Sequence, residues 1–411
     1  MASEAIRLYN LGLRYAEGSN GLAQDWAVAA RLYRQAADLG DAAAQCSLAR
    51  CYEMGGQGVD EDQAMAVQLY KQAAAQGFAR AMCNLGSMYE LGRGVEHSMV
   101  KAARLYKQAA KLGHARALCN LGYCFASGSG VALDLDEAAR LYKQAAEQGN
   151  GKAQFNLGAA FMQGKGVPQD HKQAARLWRQ AAEQGIAGAQ FALGSYLEAG
   201  QGLAEDHPEA ARLYGLAAEQ GLATAQSKFA LCLMKGQGVA HNLADAARFF
   251  RLAAEQGDAL AQYWMGFLSE CGKGTRRNPA EAVRLYHAAA AQKSSWALAQ
   301  LGVLYEKGRG VAKSEAAAAE HFATASELGG AASLFASGVR HLDEIRVRSA
   351  PESFTLQLAV RFLVLASRLG HADALEKLAS ISSQREVASA CCMGCSATRE
   401  LRLCSRCRVA V

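Results

Sequence analysis

The chain has 411 residues, with 41 glycines, only four prolines and 51% hydrophobic residues. Proline at about 1% is far below its average usage of roughly 5%, which argues against a disordered or linker-rich chain. A net charge of +6, from 44 basic and 38 acidic residues, comes with no block of five like charges, no membrane-spanning apolar stretch and no secretory pattern at the start. We therefore expect a soluble, folded protein that binds neither nucleic acid nor membranes.

A nine-residue motif recurs along the chain, as in LYKQAAKLG (105–113) and LYKQAAEQG (141–149). The copies are spaced by 37 residues once and then by 36, until a final spacing of 41. Length alone suggests two or three globular domains, but a repeat array replaces that estimate. The pattern predicts ten repeats, which end at Gly40, Gly77, Gly113, Gly149, Gly185, Gly221, Gly257, Lys293, Gly329 and Gly370.

Each repeat contains two helical patterns joined by a Gly-x-Gly-Val loop. ARAMCNLGSMYELG (79–92) and AARLYKQAAKLG (102–113) both place apolar residues at helical spacing. The first loop glycine is suited to end the first helix. Caps for the second helix are predicted at Asp134, Asp170 and Asn278, and Pro168, Pro208 and Pro279 fall at the same junction.

A glycine also recurs inside the first helix, as at Gly86, Gly122 and Gly158. Glycine in a helix interior costs about 0.5–1 kcal/mol relative to alanine. Its recurrence therefore predicts a compensating contact, in which the two helices cross too closely for a larger side chain. Each hairpin would have to stack on its neighbours to bury its apolar face.

These motifs resemble the Sel-like repeat family, a relative of the tetratricopeptide repeats, over residues 5 to about 380. The resemblance implies an all-α, right-handed solenoid of about ten helix-turn-helix repeats. It also implies a protein–protein adaptor or scaffold without intrinsic catalysis. Lys293 and the stretch RHLDEIRVRSAPESF (340–354), which lacks the loop glycines, depart from the pattern.

A candidate partner-binding row lies two residues before the helix-interior glycine. This position holds Asn10, Asn84, Asn120 and Asn156, whereas other repeats carry Ser47, Ala192, Lys228, Trp264, Gln300 and Ala336. One amide per repeat offers a donor and an acceptor at regular intervals, as an extended peptide requires. The alternative is that these asparagines only satisfy local backbone groups.

A row of arginines marks the second helices, at Arg31, Arg104, Arg140, Arg176, Arg212, Arg248 and Arg284. An anionic partner could bind this row, but acidic residues follow closely, as in Arg179–Glu183 and Lys143–Glu147. We expect a solvated, salt-bridged surface. The chain has no GxxxxGK[ST], HExxH or GxSxG motif, so we expect no enzyme.

The twelve cysteines form two groups. Seven are scattered through the repeats and are predicted to be small buried residues: Cys46, Cys51, Cys83, Cys119, Cys124, Cys232 and Cys271. The other five lie in a tail that includes two Cys-x2-Cys pairs, Cys392/Cys395 and Cys404/Cys407. Four thiolates at this spacing predict a tetrahedral zinc site, and the alternative is a set of reactive thiols.

The tail resembles the first half of a MYND-type zinc finger, most clearly in LCSRC (403–407). The resemblance implies docking of proline-containing peptides, but the later ligands of that family have no counterpart after Cys407. We expect either a truncated module or a single four-cysteine site, with Cys391 as a spare thiol.

The sequence therefore predicts a solenoid at 1–381, a linker at 382–390 and a zinc-binding tail at 391–411. The predicted function is a cytoplasmic or nuclear scaffold that binds a protein or peptide. One alternative is a regulator or enzyme that uses the tail cysteines for redox chemistry. Another places the chain in the lumen of the endoplasmic reticulum, where some members of the family work.

Overall fold

The computed structural model describes residues 2–336, 339 and 353–382, except for residues 20 and 57. Within these residues every regular element is an α-helix, which confirms the predicted all-α class. Residues 330–336 are helical as well. The helices are α1 (Ala2–Glu17), α2 (Trp26–Asp38), α3 (Ala42–Met54), α4 (Gln63–Ala75), α5 (Ala79–Leu91), α6 (Met99–Lys111), α7 (Ala115–Ser127), α8 (Leu135–Glu147), α9 (Gly151–Gln163), α10 (His171–Glu183), α11 (Ala187–Ala199), α12 (His207–Glu219), α13 (Ala223–Lys235), α14 (Leu243–Glu255), α15 (Ala259–Cys271), α16 (Pro279–Ala291), α17 (Ser295–Lys307), α18 (Glu315–Glu327), α19 (Ser353–Arg368) and α20 (Ala372–Ser382).

The chain divides into two compact units, Met1–Glu205 and Asp206–Val411. We call the odd-numbered helices from α1 to α17 the first helices, and the even-numbered ones from α2 to α18 the second helices. Within each unit a first helix packs on the second helix of its own repeat, and that helix packs on the next first helix. In the described part of the chain, no helix is long and apolar enough to cross a bilayer.

The second helices begin at polar caps, as the sequence predicts. The side-chain oxygens of Asp134, Asp170 and Asn278 accept hydrogen bonds from backbone N–H groups two or three residues further on. These bonds satisfy donors that have no partner within the helix. The first helices end at the first loop glycine, and Gly92 takes the left-handed conformation with φ 66° and ψ 31°.

The glycine inside the first helix lies against an aromatic ring of the second helix. A Cβ atom at Gly86 would lie 2.6 Å from Cε1 of Tyr106, and one at Gly158 would lie 2.5 Å from Nε1 of Trp178. Real Cβ contacts are not this short, so the ring occupies the space of the missing side chain. The predicted close contact is thus confirmed, and an aromatic side chain makes it.

Two further features join one repeat to the next. The second loop glycine, such as Gly166 with φ 68°, lies so close to the preceding second helix that a Cβ would be 2.0 Å from the carbonyl oxygen of Leu135. A buried glutamine also links two repeats, since Nε2 of Gln226 donates to the carbonyl of Ala218 in the preceding repeat at 3.2 Å. Gln226 in turn accepts a hydrogen bond at Oε1 from Gln256 of its own repeat, at 2.9 Å. The same pairing joins Gln76 to Gln45, Gln184 to Gln154, and Gln292 to Gln262.

The repeat that ends at Lys293 instead of glycine has the same backbone conformation at its end as the other repeats. Lys293 has a φ of 63°, in the left-handed region that the glycines at equivalent positions adopt. Most of the divergent stretch 340–354, the predicted linker 382–390 (apart from Ser382, the last residue of α20) and the predicted tail lie outside the described residues. The chain after this stretch is described again as α19 and α20, which pack on each other.

Replacing Gly266 with alanine should lower the free energy of unfolding by about 1–3 kcal/mol, the usual cost of overfilling a packed core. The new Cβ would lie 2.9 Å from Cε1 of Tyr286 and 3.3 Å from the carbonyl oxygen of Ala282, so the two helices would have to separate. Chemical denaturation followed by circular dichroism measures the change.

Gly215→Ala in α12 is the matched control. Its Cβ would first meet the ring edge of Phe229, at 3.3 Å, while it gains the same helix propensity. We expect this variant to be close to neutral or slightly stabilised. If Gly266→Ala were as stable as Gly215→Ala, the ring contact would not explain the glycine.

Candidate functional site

The predicted asparagine row lies at one register of the first helices. Asn84, Asn120 and Asn156 are each the sixth residue of their helices, α5, α7 and α9. All three side chains are half-buried, while Asn10 on α1 is exposed. The first unit therefore places three amides on the same face of three successive first helices.

Each of these amides contacts a cysteine of the preceding repeat. The Nδ2 atom of Asn84 lies 3.7 Å from Sγ of Cys46. The corresponding distances are 4.0 Å from Asn120 to Cys83 and 4.0 Å from Asn156 to Cys119. Sulfur is a weak acceptor, so these long contacts orient the amides without using their full hydrogen-bonding capacity.

The cysteines beneath the row are inert thiols. Burial raises the pKa of Cys46 and of Cys119 to about 11, so both are protonated at neutral pH. Six of the seven cysteines of the repeats are buried, which confirms the prediction for them. It is wrong for Cys271, which is exposed at the end of α15.

A polar cleft of about 280 Å³ opens beside Asn120 in the first unit. Two basic residues line it, Arg116 and Lys152, each the second residue of its first helix. Glu90 also lines the cleft and accepts a hydrogen bond from the hydroxyl of Tyr106 at 2.5 Å. The full lining is Ser87, Glu90, Leu91, Arg116, Cys119, Asn120, Asn150 and Lys152.

The guanidinium group of Arg116, on one side of this cleft, contacts two residues of the preceding repeat. Its Nε lies 3.2 Å from Sγ of Cys83, and its Nη2 donates to Oδ1 of Asn84. The sequence reasoning missed these basic residues, although a signal was available. A basic residue stands four positions before each asparagine of the row, at Arg80, Arg116 and Lys152, and this spacing puts the two side chains on one helix face.

In the second unit, the corresponding face of the first helices is aromatic and is covered by α19. Trp264 is the sixth residue of α15, like the asparagines, and Trp296 is the second residue of α17, like Arg116. The ring of Phe362 in α19 lies 6.0 Å from the ring of Trp264 and 5.3 Å from that of Trp296, measured between centroids. The guanidinium carbon of Arg361 lies 4.4 Å from the centroid of Phe267.

Arg361 also forms a buried ion pair on this face. Its Nη2 lies 2.6 Å from Oε2 of Glu270, with side chains only 21% and 12% exposed. Its Nε donates to Oε1 of Gln300 at 3.2 Å, and its Nη1 lies 3.6 Å from Sγ of Cys271. The face thus binds a helix of the same chain through one cation and one aromatic ring.

The arginine row of the second helices is solvated and paired, as predicted, but with other partners than expected. Arg140, Arg212 and Arg284 bind the acidic residue three positions before them, at 2.5, 2.7 and 2.6 Å. Exposed pairs of this kind contribute little to stability. The cysteines predicted to bind zinc, Cys392, Cys395, Cys404 and Cys407, lie outside the described residues.

Comparison with known proteins identifies the repeat. Nine copies of the Sel1 repeat match residues 8–41, 42–78, 79–114, 115–150, 151–186, 187–222, 223–258, 259–294 and 297–330. The tenth predicted repeat, which ends at Gly370, is not among these matches. A comparison with curated proteins gives no significant match.

Two solved structures are similar over most of this chain. One is c5321, a protective antigen present in uropathogenic Escherichia coli strains that displays an SLR fold. It is 30% identical with a TM-score of 0.66, and the match covers 97% of this chain and 88% of that one. The other is a Sel1 repeat protein from Oxalobacter formigenes, which is 31% identical with a TM-score of 0.52, over 73% of this chain and 86% of that one. Together with the nine repeats between residues 8 and 330, these likenesses show that the chain belongs to the Sel1 repeat family.

Proposed function

We propose that this chain is a protein-interaction scaffold whose first unit binds a peptide segment of a partner protein in the polar cleft beside Asn120. Sel1 repeats generally mediate protein interactions, and this membership supports the broad role. The observation that carries the specific site is the docking of α19 in the second unit. There the side chains at the second, sixth and ninth positions of the first helices contact α19, which is a segment of the same chain.

The chemistry of the cleft indicates which peptide would fit. Lys152 and Arg116 stand where the second unit has Trp296, and Asn120 stands where it has Trp264. Cations attract carboxylates, and an amide can pair with both the N–H and the C=O of an extended backbone. The first unit should therefore bind an acidic peptide rather than an aromatic helix.

Lys152→Glu should abolish partner capture, because it reverses the charge that faces the carboxylates of the peptide. The measurement is affinity capture from a cell extract with mass spectrometry, in which the wild-type chain defines the partners. The loss should be at least about tenfold, the effect of a charged hydrogen bond. Asn120→Ala should weaken the same interactions.

Lys143→Glu is the matched control, since it makes the same charge change at an exposed position of α8 in the same unit. This variant should capture the partners at the wild-type level. Equal capture by Lys152→Glu and the wild type would refute the cleft as the binding site. An equal loss in both variants would indicate a general charge effect instead.

The paired Cys-x2-Cys spacing of the tail supports a second proposal. We propose that Cys392, Cys395, Cys404 and Cys407 bind one zinc ion, which holds this short segment in one conformation. The likeness to a MYND-type finger rests on the same cysteines. This role is structural and stands beside the scaffold function.

The zinc content of the purified full chain should be about one ion per molecule, and Cys404→Ser/Cys407→Ser should remove it. Elemental analysis measures the zinc, and Cys271→Ser serves as the control that retains it. A zinc-free wild-type chain whose tail thiols react freely with a thiol reagent would instead favour redox chemistry.

A further inference from the structure

The loop between α15 and α16 differs from the other loops of the repeat. Where the repeat has valine after the second glycine, this loop has Thr275, followed by Arg276 and Arg277. In the first unit, the equivalent Val95 and Val131 pack against the hydrophobic core. The core packing that valine provides in the other loops therefore does not explain why this loop carries a hydroxyl group and two cations.

This loop borders a large cleft within the second unit. The cleft has a volume of about 660 Å³ and lies between α14, α15, α16 and the loop. This volume is within the roughly 300–1,000 Å³ of typical ligand sites. It is formed by Gln262, Met265 and Ser269 of α15, which are not the positions that hold α19.

Four arginines surround the cleft, and in the described part of the chain two of them form no hydrogen bond or close ion pair. Arg284 is bound to both carboxylate oxygens of Glu281, at 2.8 and 2.6 Å, and Arg277 donates to the carbonyl of Glu270 at 3.2 Å. Arg251 and Arg276 both line the cleft and are exposed. The hydrogen bond from Arg284 lowers the pKa of the Glu281 carboxyl group, and among the described residues Arg251 interacts with Glu281 only through its charge, which helps to lower that pKa. These two guanidinium groups are available to a ligand.

Apolar and polar side chains share the floor of the cleft, where Gln262 and Ser269 are also buried, and its rim also carries negative charge. Met265 and Leu285 are buried, with exposed fractions of 4% and 5%, and both line the cleft. Glu255 and Glu281 lie among the four arginines. These carboxylates favour a ligand with a few separated negative charges over a continuous polyanion such as a nucleic acid, and a small inorganic anion would leave Met265 and Leu285 uncovered.

We infer that this cleft binds an acidic peptide segment of a partner protein. Carboxylates of the peptide bind Arg251 and Arg276, and an apolar side chain between them covers Met265 and Leu285. The fork of a guanidinium group matches a carboxylate with two parallel hydrogen bonds. The site is separate from the cleft beside Asn120 and does not depend on the function proposed for it.

The test is fluorescence polarisation with the full chain and a labelled peptide in which leucine is flanked by glutamates. A peptide with glutamine in place of every glutamate is the probe control and should not bind. The double variant Arg251→Gln/Arg276→Gln should weaken binding of the acidic peptide by about tenfold or more. Because both arginines are exposed and form no hydrogen bond or close ion pair with the described residues, the melting curve of this variant should match the wild type.

A charge-matched control separates the site from the general field of the protein. Arg212→Gln/Arg248→Gln removes two arginines from the second helices of the same unit, outside the cleft, and should bind the peptide as the wild type does. Equal weakening by both double variants, or by neither, overturns the proposal. So does displacement of the peptide by inorganic phosphate alone, or tighter binding of a single-stranded oligonucleotide than of the peptide.

Discussion

The contact between a glycine and an aromatic ring is the constraint on which most of the repeats depend, and Ala49 in α3 and Ala230 in α13 replace the glycine. The ring of Tyr106 lies where a Cβ of Gly86 would be, and the ring of Tyr286 lies in the same way against Gly266. This position brings the tyrosine hydroxyl to a glutamate near the end of the first helix, Glu90 at 2.5 Å and Glu270 at 3.1 Å. Glu90 lines the polar cleft and Glu270 binds Arg361, so the packing inside the hairpin positions a charged group on its binding face.

The two units use one helical register for different chemistry. In the first unit the register carries amides and cations beside an open cleft. In the second unit it carries aromatic rings, and α19 buries Trp264 to an exposed fraction of 3%. Since the backbone scaffold repeats, a few substitutions at the second, sixth and ninth helix positions are enough to change what the face binds.

The features that the sequence predicts well are local or periodic. The helix caps, the glycines of the loops and the close contact at the helix-interior glycine recur at fixed spacing, so ten approximate copies of one pattern reveal them, although the aromatic ring that makes the contact is not predicted. The ion pair between Arg361 and Glu270 joins residues 91 positions apart and occurs once, so no periodicity indicates it. The contacts of the asparagines with the cysteines of the preceding repeat depend on how neighbouring first helices are rotated relative to each other. Side-chain packing sets this rotation, so the sequence pattern alone does not predict the contacts.

Pairs of one buried and one exposed glutamine restrict how such an array can change in length. Each pair joins the glutamine after a second helix to the buried glutamine in the first helix of the same repeat, 30 or 31 positions earlier. Loss or gain of a whole repeat would preserve every such pair, whereas removal of one helix would leave a buried amide without its partner at a cost of about 1–3 kcal/mol. Proteins built on this arrangement can therefore change in length by duplication and deletion of complete hairpins, and shorter insertions or deletions are confined to the loops.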